Sequence, residues 1–190
     1  VEVFKKILSI EESNFEALNG LGMAYSNLQC FHEAIDVFKK VINIKPDAAE
    51  PYFNLGVNYG YLGQYTKEIE AYKKAVSIKP QFTEAIFNMG VAYSRIGSHR
   101  QAIAAFKKVI KIKPDFAEAY YGLGAAYSQV ESLSAAKKCF KQAVDIKPDY
   151  VNAHFGLALV YFSLGDSTTA LGEYKILKNL NKIKAQELYD

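Results

Sequence analysis

A chain of 190 residues that is half apolar and 23% charged has ample material for a buried core, which excludes a disordered tail. Its 23 Lys and Arg against 20 Asp and Glu are too evenly balanced to announce a nucleic-acid or membrane protein, so partner class has to come from where the charges sit. Cys30 and Cys139 carry no CxxC or Cys/His spacing and read as inert thiols of the interior, and no apolar run is long enough for a signal or a membrane span, which leaves the compartment open and favours a soluble, cytoplasmic setting.

In chain order, residues 1–12 place Phe4 and Ile7 on one helical face and read as the second helix of a preceding partial unit. The chain thus opens in mid-pattern, as an excised part of something longer would. From there a 34-residue period runs through units at 13–48, 49–82, 83–116, 117–150 and 151–182, timed by Pro46, Pro80, Pro114 and Pro148. Residues 183–190 read as the start of a solvating helix. Numbering each unit from Phe15, Ala49, Thr83, Ala117 and Val151, position 4 holds Leu18, Tyr52, Ile86, Tyr120 and His154. Position 7 holds Leu21, Leu55, Met89, Leu123 and Leu157, and position 8 holds Gly22, Gly56, Gly90, Gly124 and Ala158. Tyr25, Tyr59, Tyr93, Tyr127 and Tyr161 follow at position 11, and these offsets are one face of an amphipathic helix. The second half shows Ala34, Glu68, Ala102, Ala136 and Ala170 at position 20, then Phe38, Tyr72, Phe106, Phe140 and Tyr174 at position 24. With Val41, Ala75, Val109, Ala143 and Leu177 at position 27, this marks a second helix.

Gly63, Gly97 and Gly165 fit the left-handed turn that ends a first helix, with Gln29 and Glu131 in that place elsewhere. Each proline of the clock lacks an N–H and drives the preceding lysine out of the helical region, so the second helix ends there. Ser13-Asn14-Phe15-Glu16, Asp47-Ala48-Ala49-Glu50 and Asp115-Phe116-Ala117-Glu118 read as capping boxes, the first side chain capping the new helix and the Glu reaching back. Pro51 falls in a first turn, where proline is tolerated. Glu68 puts a carboxylate where the other four units have alanine, and the sequence assigns it no role.

The set of an apolar or aromatic residue at position 4, Leu-Gly at 7 and 8, Tyr at 11, Ala at 20, an aromatic at 24 and Pro at 32 resembles the tetratricopeptide repeat. The resemblance covers nearly the whole chain, departing in the last unit at Ala158, Lys178 and Lys182. It implies an all-α fold, a right-handed superhelical solenoid of antiparallel helix pairs: five repeats with a leading half-repeat. It also implies a non-catalytic protein–protein interaction scaffold that holds a peptide or helix in a concave groove, with no cofactor. In the family the inner wall comes from positions 2, 5, 6, 9, 12 and 13 of the first helices. Carried over, position 5 supplies Phe53, Phe87, Tyr121 and Phe155, and position 6 supplies Asn54 and Asn88. Position 9 supplies Val57, Val91 and Leu159, and position 13 supplies Tyr61, Arg95 and Gln129.

Asn54 and Asn88 could pair with the backbone of an extended ligand, since an amide both donates and accepts. In two rungs they resemble the asparagine ladder of O-linked N-acetylglucosamine transferases, which makes the recognition arm of a larger glycosyltransferase the alternative function. Gly20, Gly122 and Gly156 at the same position suggest room for ligand bulk. Repeats that clamp acidic tails need other residues at Asn19, Met23, Glu84 and Asn88, only Asn54 matching. With Glu16, Glu50, Glu84 and Glu118 at position 2, the expected partner is apolar-aromatic and not an acidic C-terminal tail. No catalytic or metal constellation stands out: His32, His99 and His154 lack neighbours at catalytic spacing, and the glycines near Gly20 and Gly122 lie in helical patterns and not in a phosphate loop. Lysine at position 25 in all six second helices, Lys5, Lys39, Lys73, Lys107, Lys141 and Lys175, reads as a solvated outer face without interleaved aromatics. Binding of nucleic acid or an acidic surface there is the weaker alternative. No membrane partner is implied, and self-association through the leading helix is open.

Overall fold

The computed structural model describes residues 1–188, and Tyr189 and Asp190, the end of the expected solvating helix, lie outside the described residues. All regular elements among them are helices, and the chain divides into two compact units, Val1–Ile96 and the segment from Gly97 onward. The first unit holds α1 (Glu2–Leu8), α2 (Phe15–Asn27), α3 (Phe31–Ile44), α4 (Ala49–Tyr61), α5 (Tyr65–Ile78) and α6 (Thr83–Arg95). The second holds α7 (His99–Ile112), α8 (Ala117–Gln129), α9 (Leu133–Ile146), α10 (Val151–Ser163), α11 (Ser167–Leu180) and α12 (Lys182–Gln186). First helices are α2, α4, α6, α8 and α10, and each starts 34 residues after the last.

The chain punctuation acts through backbone geometry. Lys45, Lys79, Lys113 and Lys147 terminate α3, α5, α7 and α9 with φ between −122° and −135°, the extended setting that a following proline imposes. Gly63, Gly97 and Gly165 take φ of 69°, 73° and 80°, and Gln29 and Glu131 enter the same left-handed region at 60° and 57°. For these two the conformation carries a cost that glycine avoids, about 1–2 kcal/mol.

The expected capping boxes do not form. α4 and α8 begin one residue later than a box requires, so Ala48 and Phe116 occupy the N-cap and neither caps through a side chain. At α2 the capping side chain is Asn14, not Ser13: its Oδ1 accepts from the Ala17 N–H at 2.8 Å. Glu50 and Glu118 consequently sit one residue too early to reach back. Instead they meet lysines that end the following second helices, Lys79 at 3.2 Å and Lys147 at 4.0 Å.

Close approach of helices depends on glycine facing an aromatic ring. A Cβ on Gly22 would lie 2.8 Å from the Phe38 ring, one on Gly56 2.6 Å from Tyr72 and one on Gly124 2.8 Å from Phe140. Position-24 rings also face the next first helix. A Cβ on Gly156 would lie 2.8 Å from Phe140, one on Gly122 2.7 Å from Phe106 and one on Gly20 2.5 Å from Phe4. The expectation that Gly20, Gly122 and Gly156 leave room for ligand bulk therefore fails, because the preceding second helix already fills that space. Phe38, Tyr72, Phe106 and Phe140 are accordingly buried, each ring contributing roughly 1.5–3 kcal/mol of apolar burial.

Candidate functional site

Groups suited to covalent or metal chemistry are dispersed. Among the described residues no cluster of three His, Cys, Asp or Glu side chains could hold a metal ion. Burial pushes the Cys139 thiol up to about 11 against a weaker opposing pull from Lys107, which keeps it protonated and unreactive near neutrality. His154 is buried between two acceptors, the Glu173 carboxylate at 2.6 Å from Nδ1 and the Pro148 carbonyl at 2.8 Å from Nε2. It serves the interior of the second unit.

In the first unit, Phe53 is half-buried with its ring tilted against Tyr72 and Phe82, at centroid distances of 5.8 and 5.0 Å. In the second, Tyr121 repeats this against Phe140 and Tyr150, at 5.8 and 5.3 Å. The aromatic at position 5 thus serves both stacking and surface. Phe87 and Phe155 are half-buried as well, the latter beneath the Lys184 ammonium at 4.3 Å from its centroid. Asn54, Val57, Asn88 and Val91 are half-buried, while Tyr61, Arg95, Gln129 and Leu159 are exposed. Asn88 is engaged within the protein, its Nδ2 donating to the Tyr72 hydroxyl over a long 3.5 Å.

The unplaced carboxylate finds its position here. Glu68 is 3% exposed and lines a recess of about 190 Å³ on the first-helix face with Val57, Gly60, Tyr61, Tyr72, Asn88, Val91 and Arg95. Burial raises its pKa above the ordinary 4.5, opposed in part by the Arg95 charge and a hydrogen bond from Tyr72. The folded chain therefore holds this proton more tightly than the unfolded chain, so the associated stability is complete below about 4.5 and is lost as pH rises through the folded value. Glu68→Gln, which cannot ionise, is expected to exceed the wild-type chain in stability near pH 7 and to lose that advantage near pH 4, read as urea midpoints. A wild-type chain that outlasts the variant at neutral pH would contradict the assignment.

Four of the six position-25 lysines are engaged with other side chains. Lys5 pairs with Glu2 and Lys39 with Asp36, at 3.6 and 3.8 Å. Lys73 lies 5.9 Å from the Tyr93 ring centroid and Lys107 5.5 Å from that of Tyr127, where a hydrogen bond to the tyrosine raises the ammonium pKa. Aromatics do interleave with these lysines, contrary to the sequence reading, because the position-11 tyrosine of the next repeat stands beside position 25. Exposed contacts of this kind contribute about 0.5–1 kcal/mol each and tie the cations to the scaffold.

Residues 13–81 match a family model described as the tetratricopeptide repeat, and residues 95–130 and 131–165 match one described as the TPR repeat. The chain belongs to the tetratricopeptide repeat family. No curated protein sequence matches it. Among solved structures, a crystal structure of MamA has a TM-score of 0.82 at 28% identity, covering 87% of this chain and 96% of that one. MamA from Desulfovibrio magneticus RS-1, residues 41 to the end, reaches 0.84 at 22% identity over 88% and 95%. YrrB, described as a TPR protein with an unusual peptide-binding site, reaches 0.82 at 14% identity over 98% and 97%. At 22% and 14% identity the likeness speaks for the fold alone, that of a tetratricopeptide repeat solenoid.

Glu68 and Gly60 are lining residues that the sequence reading did not name as such. The signal was available in pairs: the second repeat departs twice, with Glu68 in an alanine position and Gly60 where other repeats have Ser26, Ser94, Ser128 and Phe162. Neither position explains itself alone.

Proposed function

We propose that this tetratricopeptide repeat chain is a non-catalytic scaffold that holds an extended peptide or a helix of a partner protein against its first-helix face. One observation carries the reading: Tyr61, 66% exposed, stands beside half-buried Val57 and Val91 and exposed Arg95 around one recess of the first-helix face. An exposed aromatic next to aliphatic side chains and amides is the composition of a protein-contact surface. YrrB, with the same fold, is described as having a peptide-binding site, which supports this use of the scaffold. In the first unit Asn54 and Asn88 read as backbone-pairing groups beside Phe53 and Phe87, and in the second unit Tyr121 and Phe155 read as apolar-aromatic lining of its own first-helix face.

Peptides selected from a random library on the immobilised chain test this. Asn54→Ala with Asn88→Ala is expected to weaken the selected peptides about fivefold or more, one net hydrogen bond being about 1 kcal/mol, with unchanged helical circular dichroism. Equal affinity for the variant would remove the asparagines from the site.

A further inference from the structure

The recess beneath Gly60 has the construction of a charge-selective pocket. Glu68 belongs to α5, a second helix, yet its carboxyl group lines the face built by first helices α4 and α6. Gly60 is what permits this: a Cβ there would lie 2.8 Å from the Glu68 carboxyl carbon. The two departures of the second repeat are therefore one feature, a bulky acid admitted through the absence of a side chain opposite. The carboxylate is held on one side by the Tyr72 hydroxyl, itself oriented by Asn88. Its Oε2 is buried and has no hydrogen-bond donor.

The nearest cation does not satisfy it. Arg95 Nη1 stands 3.9 Å from Oε2, beyond hydrogen-bond length, and the guanidinium lies over the Tyr65 ring at 5.4 Å with about half its side chain in solvent. A buried acceptor left in this state is costly, and a second cation delivered into the recess would remove the cost. The other walls suit the stem of such a group. Val57 and Val91 offer aliphatic surface for methylenes, and the Tyr61 ring, stacked on Phe31 at 4.7 Å and 12°, gives a fixed aromatic side for a cation.

We infer that this recess is a receptor for a cationic side chain, lysine or arginine, presented by the bound partner, with Glu68 as its counter-charge. The inference rests on the proposed use of the first-helix face and adds the chemistry of one ligand residue. It departs from the purely apolar-aromatic partner expected from sequence: the apolar lining grips, and Glu68 selects.

The test uses the full chain, ¹⁵N-labelled, with N-acetyl-lysine amide, N-acetyl-arginine amide and N-acetyl-norleucine amide as probes, the last keeping the stem without the charge. The lysine and arginine probes are expected to move the Gly60 and Val91 amide resonances saturably, the norleucine probe about tenfold more weakly. Glu68→Gln, checked for unchanged circular dichroism, is expected to abolish the preference. Equal shifts from lysine and norleucine on the wild-type chain would overturn the inference, as would a lysine preference that survives in Glu68→Gln. Library-selected peptides separate the two levels. Peptides that perturb first-helix amides without enrichment in lysine or arginine, and bind Glu68→Gln equally, would leave the face as a binding surface and remove the cation pocket. Peptides that perturb no first-helix amide would remove the binding surface itself.

Discussion

Phe140→Ala is expected to destabilise the second unit by about 3–5 kcal/mol, the range for truncating a fully buried aromatic. The ring is 3% exposed and serves two interfaces at once, meeting Gly124 of α8 and Gly156 of α10 at the distances where neither could carry a Cβ. Around it close Ala136, Leu157 and Val160, with Tyr121 tilted on its edge. Glycine cannot grow to fill the vacancy, so collapse of the site would require movement of both helices. Urea denaturation followed by circular dichroism reads the effect. Because repeat arrays unfold as coupled neighbours and not always as one unit, the transition is also expected to broaden. A loss below about 1 kcal/mol would mean that the ring is not the wedge between these helices.

His154→Ala is expected to cost about 3 kcal/mol, because it leaves two acceptors without their partner, each worth about 1–3 kcal/mol when buried and less for the slightly exposed Glu173. The Pro148 carbonyl can only accept, so Nε2 donates to it at 2.8 Å, while Nδ1 lies 2.6 Å from the Glu173 carboxylate. Removing the imidazole strands an acceptor on each side. The double variant His154→Leu with Glu173→Leu is expected to recover most of the loss, because an apolar side chain at position 4 is what the other repeats use and no charge is left stranded. A double variant that adds both penalties in full would show that the two side chains do not act as a pair.

Much of the fold could be read from residue types because the devices that build it are local. A proline 34 residues after the last fixes where a helix must stop, and glycine opposite an aromatic fixes how near two helices come. These are constraints on one or two residues, and they repeat. The capping boxes misled for the opposite reason. A shift of one residue moves Asp47 and Asp115 out of the N-cap and hands Glu50 and Glu118 to distant Lys79 and Lys147, a difference that depends on where the helix begins in space. Gly20, Gly122 and Gly156 misled because their filling rings come from another helix. The lysines did so as well, since the tyrosines beside Lys73 and Lys107 lie in the next repeat and are not neighbours in sequence. Glu68 was visible as an exception but had no meaning without Gly60, eight residues earlier and on another helix. The recurring residues specify stacking, and the proposed cation recess is built from such a compensated exception.

The central claim is that stacking consumes the interiors of the helix pairs and leaves the first-helix face free to hold a partner. Chemical-shift mapping of a library-selected peptide on the labelled chain tests it most directly. The account predicts perturbation at Val57, Tyr61, Asn88, Val91 and Arg95 in the first unit, with the resonances of Lys73 and Lys107 unmoved. A peptide that instead shifts Lys73 and Lys107, with Val57 and Val91 silent, would contradict it.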